Sequence, residues 1–218
     1  MSETSPIPSA ASVDADRMQY TGAPLRTIWF EPTATFRSLF TSRHALKYGV
    51  FWAALGGVGN VIYGAMRSER PEPDSILGGA LLVGPIFALL GVFVYGSAVT
   101  LVGRWGGPKV SYRDVWIVQG WSQLPAAALF LFWLLPLARL AHPLPHRGGT
   151  GGEALAYGVT TLLNLGGQIW ALVFGLCGLA AALRTTRWNA FCTSLLAFVA
   201  LAVIVVPGYF LVRWMFTS

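Results

Sequence analysis

Long apolar segments almost free of charge constrain the fold of this chain more than any other feature. Crossing about 30 Å of hydrocarbon takes roughly 20 helical residues, and five segments reach that length. Lys47, in the opening turn of the first, is the single Asp, Glu, Lys or Arg inside them. A charge at a helix centre would cost about 2.5–3.5 kcal/mol. The predicted membrane spans are about 45–66, 76–102, 115–138, 154–183 and 190–212.

Composition supports the same class of protein. Hydrophobic residues make up 55% of the 218-residue chain and charged residues 11%, whereas soluble domains carry roughly 25% charged residues. So few charges do not cover that much apolar surface in water. We therefore predict an all-α polytopic membrane protein, with a five-helix transmembrane bundle in residues 25–216. Residues 1–24 are rich in Ser, Ala, Pro and Thr and lack the apolar core of a signal peptide. They are predicted to form a disordered cytoplasmic tail.

The distribution of basic residues predicts the orientation of the spans. Ten of the fifteen Lys and Arg residues lie on the side of the N-terminus when the chain crosses five times. Because cytoplasmic loops carry the excess of basic residues, the N-terminus is predicted to be cytoplasmic and the C-terminus outside. The net charge of +6 does not predict a nucleic-acid partner. The basic residues flank the spans instead of forming a patch interleaved with aromatic residues.

The stretch before the first span has the pattern of an N-terminal interfacial amphipathic helix. Pro32 suits the first turn of a helix, where its missing N–H is not needed. From there large apolar side chains recur on one face at i, i+3 and i+4, with Arg37 and Arg43 toward the other side. Such a segment is typical of the membrane interface; the alternative is a short helix packed on the loops. The residues assigned to the interfacial helix are Trp29, Phe36, Leu39 and Phe40.

Small and amide residues recur on one face of each of the first four spans, at spacings of three, four and seven. Small residues let helices approach closely in lipid, and amides bond across the gap at about 0.6 kcal/mol each. An amide facing lipid would be unpaired, so these stripes are predicted to face the bundle interior. The fifth span lacks a stripe and is predicted to be peripheral. The polar residues assigned to the interior are Asn60, Tyr95, Gln119, Ser122, Gln123, Asn164 and Gln168.

The same region contains a second structural signal. Pro125 cannot bond to the carbonyl of Trp121 in a continuous helix, so a kink is predicted there. The freed carbonyl needs another partner, and the neighbouring amides or Ser122 are suitable donors.

No catalytic, metal or cofactor site is predicted. Gly120–Trp121–Ser122–Gln123 and Gly96–Ser97 resemble the context of a serine nucleophile, but such a serine needs a nearby base, and the three histidines lie outside the spans or at their edges. His142 and His146 have a metal-ligand spacing only on a helix, which the two intervening prolines prevent. Cys177 and Cys192 are interpreted as small buried hydrophobic residues.

Three stretches, taken in order, resemble one family. They are IWFEPTATFRSL at 28–39, YGSAVTLVGRWGGPKVSYRDVWIVQGWSQLP at 95–125, and IWALVFGLCGLAAALRTTRWNA at 169–190. With the five-span layout, they resemble the Yip1-domain integral membrane proteins over about residues 25–216, in the short bacterial form. The resemblance implies a bacterial inner (plasma) membrane location and a cytoplasmic N-terminus.

Eukaryotic members of that family are associated with Rab-type GTPases and vesicle traffic. Their Asp-Leu-Tyr-Gly-Pro signature is absent, because Ser97 follows Tyr95–Gly96. A GTPase partner is therefore not predicted, and no contact residue is transferred.

The predicted function is that of a non-enzymatic membrane organiser or interaction scaffold. Its expected partners are membrane lipid and other membrane proteins or further copies of itself. The alternative is a channel or transporter for lipid or a neutral small solute, through the four striped helices. A continuous polar cavity would favour transport, whereas a close-packed interior would favour the scaffold.

Overall fold

The computed structural model describes residues 24–65, 73–105, 110–129 and 151–217, and within these ranges the chain is helical without strands. This confirms the all-α class. A further short helical segment covers 124–129. The helices are α1 (Pro24–Thr27), α2 (Pro32–Thr41), α3 (Ala45–Ala65), α4 (Pro73–Trp105), α5 (Tyr112–Trp121), α6 (Gly151–Ala182) and α7 (Arg187–Thr217).

Four helical stretches are long and apolar enough to cross a membrane: Ala45–Ala65, Gly78–Trp105, Thr161–Ala182 and Arg187–Met215. They correspond to the first, second, fourth and fifth predicted spans. The third predicted span begins in α5 and continues through 124–129, and its remainder, 130–138, lies outside the described residues. The count of five spans therefore stays a prediction.

The chain breaks its helix just before Pro125. Helix α5 ends at Trp121, Ser122 and Gln123 form a turn, and helix resumes at 124. The Gln123 N–H donates to Gly120 O at 3.2 Å, the tighter bond typical of a helix end. Pro125 thus lies in the first turn of a new segment, where its missing donor leaves no ladder bond unmade. The helix is therefore disturbed where a kink was predicted, and the two turn residues precede Pro125.

Helix α5 lies at the centre of the described bundle, because α2, α3, α4 and α6 all pack against it. Helix α7 packs on α4 and α6. In its apolar stretch only 6% of residues are buried, against 44% in α3. The peripheral position predicted for the fifth span is therefore confirmed.

Glycines bring neighbouring backbones into direct contact. A Cβ placed on Gly57 of α3 would lie 2.3 Å from the carbonyl oxygen of Gly84 in α4. A Cβ on Gly120 of α5 would lie 2.5 Å from the carbonyl oxygen of Gly49 in α3. Such small-residue contacts are how membrane helices associate in the absence of a hydrophobic driving force.

The helix predicted before the first span is present as α2, but its apolar face packs on protein. Phe36 is 0% exposed and Leu39 is 3% exposed, and both belong to the main hydrophobic core. Trp29 and Phe40 pack against that core while remaining partly exposed. The expectation that Phe36 and Leu39 lie among acyl chains is therefore wrong. The reason is Gly178 of α6, whose missing side chain leaves room for the Phe36 ring, 2.9 Å from where a Cβ would be.

Candidate functional site

Helices α1 and α2 form an N-terminal hairpin, residues 24–41, that is fastened to one end of the bundle. The Thr35 hydroxyl donates to Thr27 Oγ1 at 2.9 Å and so ties the two helices together. The guanidinium of Arg113 donates from Nη1 to Phe40 O at 2.8 Å and from Nη2 to Ser42 O at 2.6 Å. These carbonyls lie at the C-terminal end of α2, where the helix supplies no N–H donors for them. The planar fork of arginine suits such a double contact.

The motif around Trp121 fastens α5 to the start of α3. Its indole Nε1 donates to Ala45 O at 2.9 Å, and the ring is buried. A buried indole N–H needs such an acceptor. Together with the contact between Gly120 and Gly49, this explains the glycine-aromatic pair in structural terms. Through this motif the central helix α5 contacts the N-terminal end of α3, next to the hairpin.

Asp114, which precedes the predicted third span, is a charged group at the same end. Partial burial raises its pKa above the ordinary value, and the charges of Arg113 and Arg184 lower it in part. Arg113 Nη1 lies 3.6 Å from Asp114 Oδ1. Ser111 precedes α5 as its N-cap but makes no side-chain cap bond, and Asp114 lies in the first turn of the helix. Asp114 faces two arginines.

Arg184 occupies a conformation that normally favours glycine. Its φ is 51°, and the bonds Arg184 N–H to Ala181 O and Thr185 N–H to Ala180 O close a Schellman motif at the end of α6. A non-glycine residue there costs about 1–3 kcal/mol. Gly at this position would relieve the strain but would remove the charge near Asp114.

Replacing Asp114 by Asn is expected to stabilise the protein at neutral pH. Since the folded state raises the pKa of Asp114, it binds the proton more tightly than the unfolded chain does. Stability contributed by this group is full below its ordinary pKa and falls as pH rises through the raised value. Asn is always neutral, so its advantage should be absent at low pH and should appear as pH rises through that window. Thermal unfolding in detergent measures it. A lower melting temperature for Asn at neutral pH would mean that pairing with the arginines outweighs burial.

The outer side of the N-terminal hairpin is exposed. Phe30 is 82% exposed and Leu25 is 46% exposed, and Arg26 and Arg37 are exposed as well. The hairpin therefore has one face buried in the bundle and another that presents apolar and basic side chains. Sequence reasoning assigned the large apolar side chains of this segment to the membrane interface, with Arg37 toward the other side of the helix. It did not separate the docked face from the presented one.

The amides assigned to the interior divide between a cleft and the helix break. Asn60, Asn164 and Gln168 line one cleft together with Tyr63 and Leu129. Gln168 Nε2 donates to Asn164 Oδ1 at 3.5 Å. The volume of the cleft is about 10 Å³, which is room for about one water molecule. Asn60 and Gln168 are exposed at the edge of this cleft, whereas the sequence predicted that they lie in the bundle interior. The reason is that α3 and α6 both pack on α5 and the cleft opens between them.

Gln119, Ser122 and Gln123 lie at the break after α5. Ser122 is buried, and its Oγ donates to Gln119 O at 2.8 Å. Gln119 and Gln123 are partly buried. A Cβ on Gly56 would lie 3.2 Å from Gln123 Cβ, so Gln123 packs on α3 through its stem. The serine hydroxyl is thus occupied with the backbone of its own helix.

Tyr95 connects α4 to the peripheral α7. Its hydroxyl donates to Ser194 O at 3.1 Å and also bonds Ser194 Oγ. The sequence placed Tyr95 in the interior but assigned it no partner. The short polar pair Thr193–Ser194 near one end of α7 was the available signal.

An apolar groove of about 590 Å³ runs along α6. Residues of 124–129 form one wall, and its end lies at Trp29 of the hairpin. The Trp29 ring meets Phe174 edge-on with 5.3 Å between centroids, and Trp170 lies 5.9 Å from Phe174. The groove and the amide cleft both include Leu129. The sequence pattern did not predict this groove, because the groove forms only where residues 124–129 lie beside α6.

Metal-ligating residues do not cluster in the described part of the chain, where no three His, Cys, Asp or Glu side chains come together. His142 and His146 lie outside that part. Cys177 is buried, as interpreted from the sequence, whereas Cys192 is exposed on α7. The interpretation of Cys192 was wrong because the peripheral helix buries few of its residues.

Comparison with known proteins agrees with this architecture. A family model described as the Yip1 domain matches residues 26–208, from α1 into α7. No curated protein and no solved structure matches the chain with significant similarity. The match includes all of the hairpin from residue 26, the motif around Trp121, the first three long apolar helices and the fourth as far as residue 208. The chain therefore belongs to the Yip1 domain family of integral membrane proteins.

Proposed function

We infer that this protein is a non-enzymatic membrane organiser or interaction scaffold of the Yip1 type. The N-terminal hairpin carries this proposal. Its inner face is fixed by Phe36 in the core and by the two hydrogen bonds from Arg113 to carbonyls at the end of α2. Its outer face presents Phe30 and Leu25 to the surroundings. A rigid element with exposed aromatic and basic side chains is suited to bind a partner, because it loses little conformational entropy on binding.

The proposed orientation places the hairpin at the cytoplasmic surface of a bacterial inner membrane. Arg104 lies in the last turn of α4, Arg184 follows α6 and Arg187 begins α7, on the side that the positive-inside rule favours. In this arrangement α2 lies at the interface with its outer face toward headgroups. The chain crosses five times and ends outside. The central position of α5 and 124–129 supports a third span in that count.

Absence of catalysis is part of the same proposal. Ser122, a serine in a nucleophile-like context, is buried and donates to Gln119 O. A nucleophile requires a base to take that proton. A packing role accounts for the bond.

Affinity purification in mild detergent tests the scaffold. Phe30→Ser should reduce the yield of co-purifying membrane proteins, including tagged second copies, because it removes the most exposed aromatic side chain of the hairpin. Trp188→Ser is the matched control, since Trp188 is a 70% exposed aromatic at the start of α7. Both variants should keep their stability within about 0.5 kcal/mol, as exposed sites do. The same protein partners for wild type and Phe30→Ser, or equal losses in both variants, would refute the proposal.

A lipid transporter is the second candidate, favoured by the groove along α6. A neutral small solute is less well supported by the amide cleft, which has room for about one water molecule. Purified protein in vesicles should show no lipid or solute movement above protein-free vesicles if the scaffold proposal holds. Accelerated movement of a fluorescent phospholipid between leaflets would favour the transporter instead.

A further inference from the structure

The groove along α6 has the surroundings of a lipid site. Most of its α6 residues fall within the membrane-length stretch Thr161–Ala182, so its mouth faces hydrocarbon. Leu162 is 68% exposed and Trp170 is 41% exposed along it. The volume of about 590 Å³ is that of a ligand pocket, about 300–1,000 Å³. Acyl chains are the molecules that surround this surface.

We propose that the groove holds one acyl chain of an anionic membrane phospholipid. The chain lies between α6 and residues 124–129, and the lipid headgroup lies at the hairpin end. The inference rests on the proposed function for one point, the placement of the hairpin at the membrane surface.

The residues at the hairpin end of the groove support both the position of the acyl chain and the negative charge of the headgroup. Trp29 and Trp170 line the groove there and both pack on the buried Phe174, and tryptophan rings are favoured near headgroups. Arg26 lies three residues before Trp29, and Arg37 lies on the following helix; both are exposed. A basic residue near the membrane surface attracts anionic lipid by about 1 kcal/mol. The apolar groove and the basic hairpin together match the two ends of one phospholipid.

Two adjacent glycines show which part of the groove is closed and which is open. A Cβ on Gly167 would lie 2.3 Å from Leu129 Cδ1, so α6 meets the opposite wall there. A Cβ on Gly166 would meet nothing within 4 Å. A side chain at Gly166 therefore enters the groove without displacing protein. Gly91 of α4 has the same open surroundings and is exposed, but it lies outside the groove residues.

Photocrosslinking in vesicles tests the site. The probe is phosphatidylglycerol with a diazirine on one acyl chain, present as a small fraction in phosphatidylcholine vesicles. Adducts on the wild type should map to 159–170 and 125–129, and unlabelled phosphatidylglycerol should compete with them. Gly166→Leu should lower this yield by about tenfold. Gly91→Leu, with the same change of residue in an exposed helix position, should leave it unchanged.

The headgroup is tested with a second variant that keeps the groove intact. Arg26→Gln combined with Arg37→Gln should reduce labelling by the phosphatidylglycerol probe to the level of a matching phosphatidylcholine probe. Both arginines are exposed, so folding should not change, and this arm decides the case if Gly166→Leu fails to fold. Equal wild-type labelling by the two probes would overturn the anionic assignment.

Other results overturn the acyl-chain site itself. The first is an equal adduct yield in Gly166→Leu and Gly91→Leu, and the second is labelling only at residues outside the groove. The third is a wild-type dimer that Gly166→Leu dissociates, because this result would assign the groove to a second copy of the chain. Capture of protein partners through Phe30 is measured separately. Loss of the lipid result with capture intact would leave the scaffold proposal standing.

Discussion

Gly57→Ala is expected to destabilise the bundle by about 3 kcal/mol, the upper end of the usual range for overpacking. The new methyl group would lie 2.3 Å from Gly84 O and 2.5 Å from Ala88 Cβ. A backbone carbonyl has no rotamer by which to move away, so α3 and α4 must separate along their contact. The two helices should still insert, because the change adds apolar surface. The expected readout is a lower melting temperature in detergent and easier proteolysis of the folded protein.

Gly64→Ala is the matched control on the same helix. Gly64 lies seven residues after Gly57, hence on nearly the same face, but a Cβ there meets nothing within 4 Å. Its replacement should be neutral or should stabilise by up to about 1 kcal/mol through helix propensity. Equal effects of the two substitutions would show that glycine conformational freedom, and not the contact with α4, matters at Gly57.

The contact at Gly57 also shows where the sequence pattern reached its limit. The predicted stripe on α3 included Gly56 and Asn60, which face Gln123 and the amide cleft. Gly57, one position away, makes the contact with α4. A spacing of three, four and seven selects one face, whereas α3 packs on both α4 and α5. The glycine doublet was the available signal for two interfaces.

The third predicted span illustrates a different limit. Pro125 indicated that the helix would be disturbed, and the structure has a break just before it, at Ser122 and Gln123. The pattern did not give its form, because a kink and a turn both satisfy the loss of one backbone bond. Gly120, close to the break, packs directly on Gly49 of α3, a contact that no local pattern contains.

The candidate site was only partly predictable for the same reason. Arg113 entered the sequence argument as a flanking positive charge. Its fork bonds two carbonyls more than 70 residues earlier in the chain, and that requires the end of α2 to be in place. The amphipathic pattern correctly indicated a helix there. Because protein and lipid interiors are equally apolar, the pattern did not distinguish a face docked on α6 from a face in lipid.

Phe36→Ala is expected to cost about 3–5 kcal/mol, as removal of a fully buried phenylalanine usually does. Its ring is 0% exposed and fills the space left by Gly178. Removing it leaves a cavity between α2 and α6, so the N-terminal hairpin should come away from the bundle before the membrane helices separate. Protease added on the hairpin side should then cut at Arg37 in the variant under conditions where the wild type resists. Thermal unfolding measures the accompanying loss of stability.

Phe30→Ala separates protein packing from contact with lipid. Phe30 belongs to the same hairpin but is 82% exposed, so its removal should change the free energy of unfolding by no more than about 0.5 kcal/mol. If Phe36 were held by acyl chains, as the amphipathic pattern alone suggested, both substitutions would weaken membrane contact and neither would weaken the bundle. A large effect at Phe36 with none at Phe30 supports docking on α6. Comparable small effects at both positions would place the Phe36 face of α2 in lipid instead of on α6.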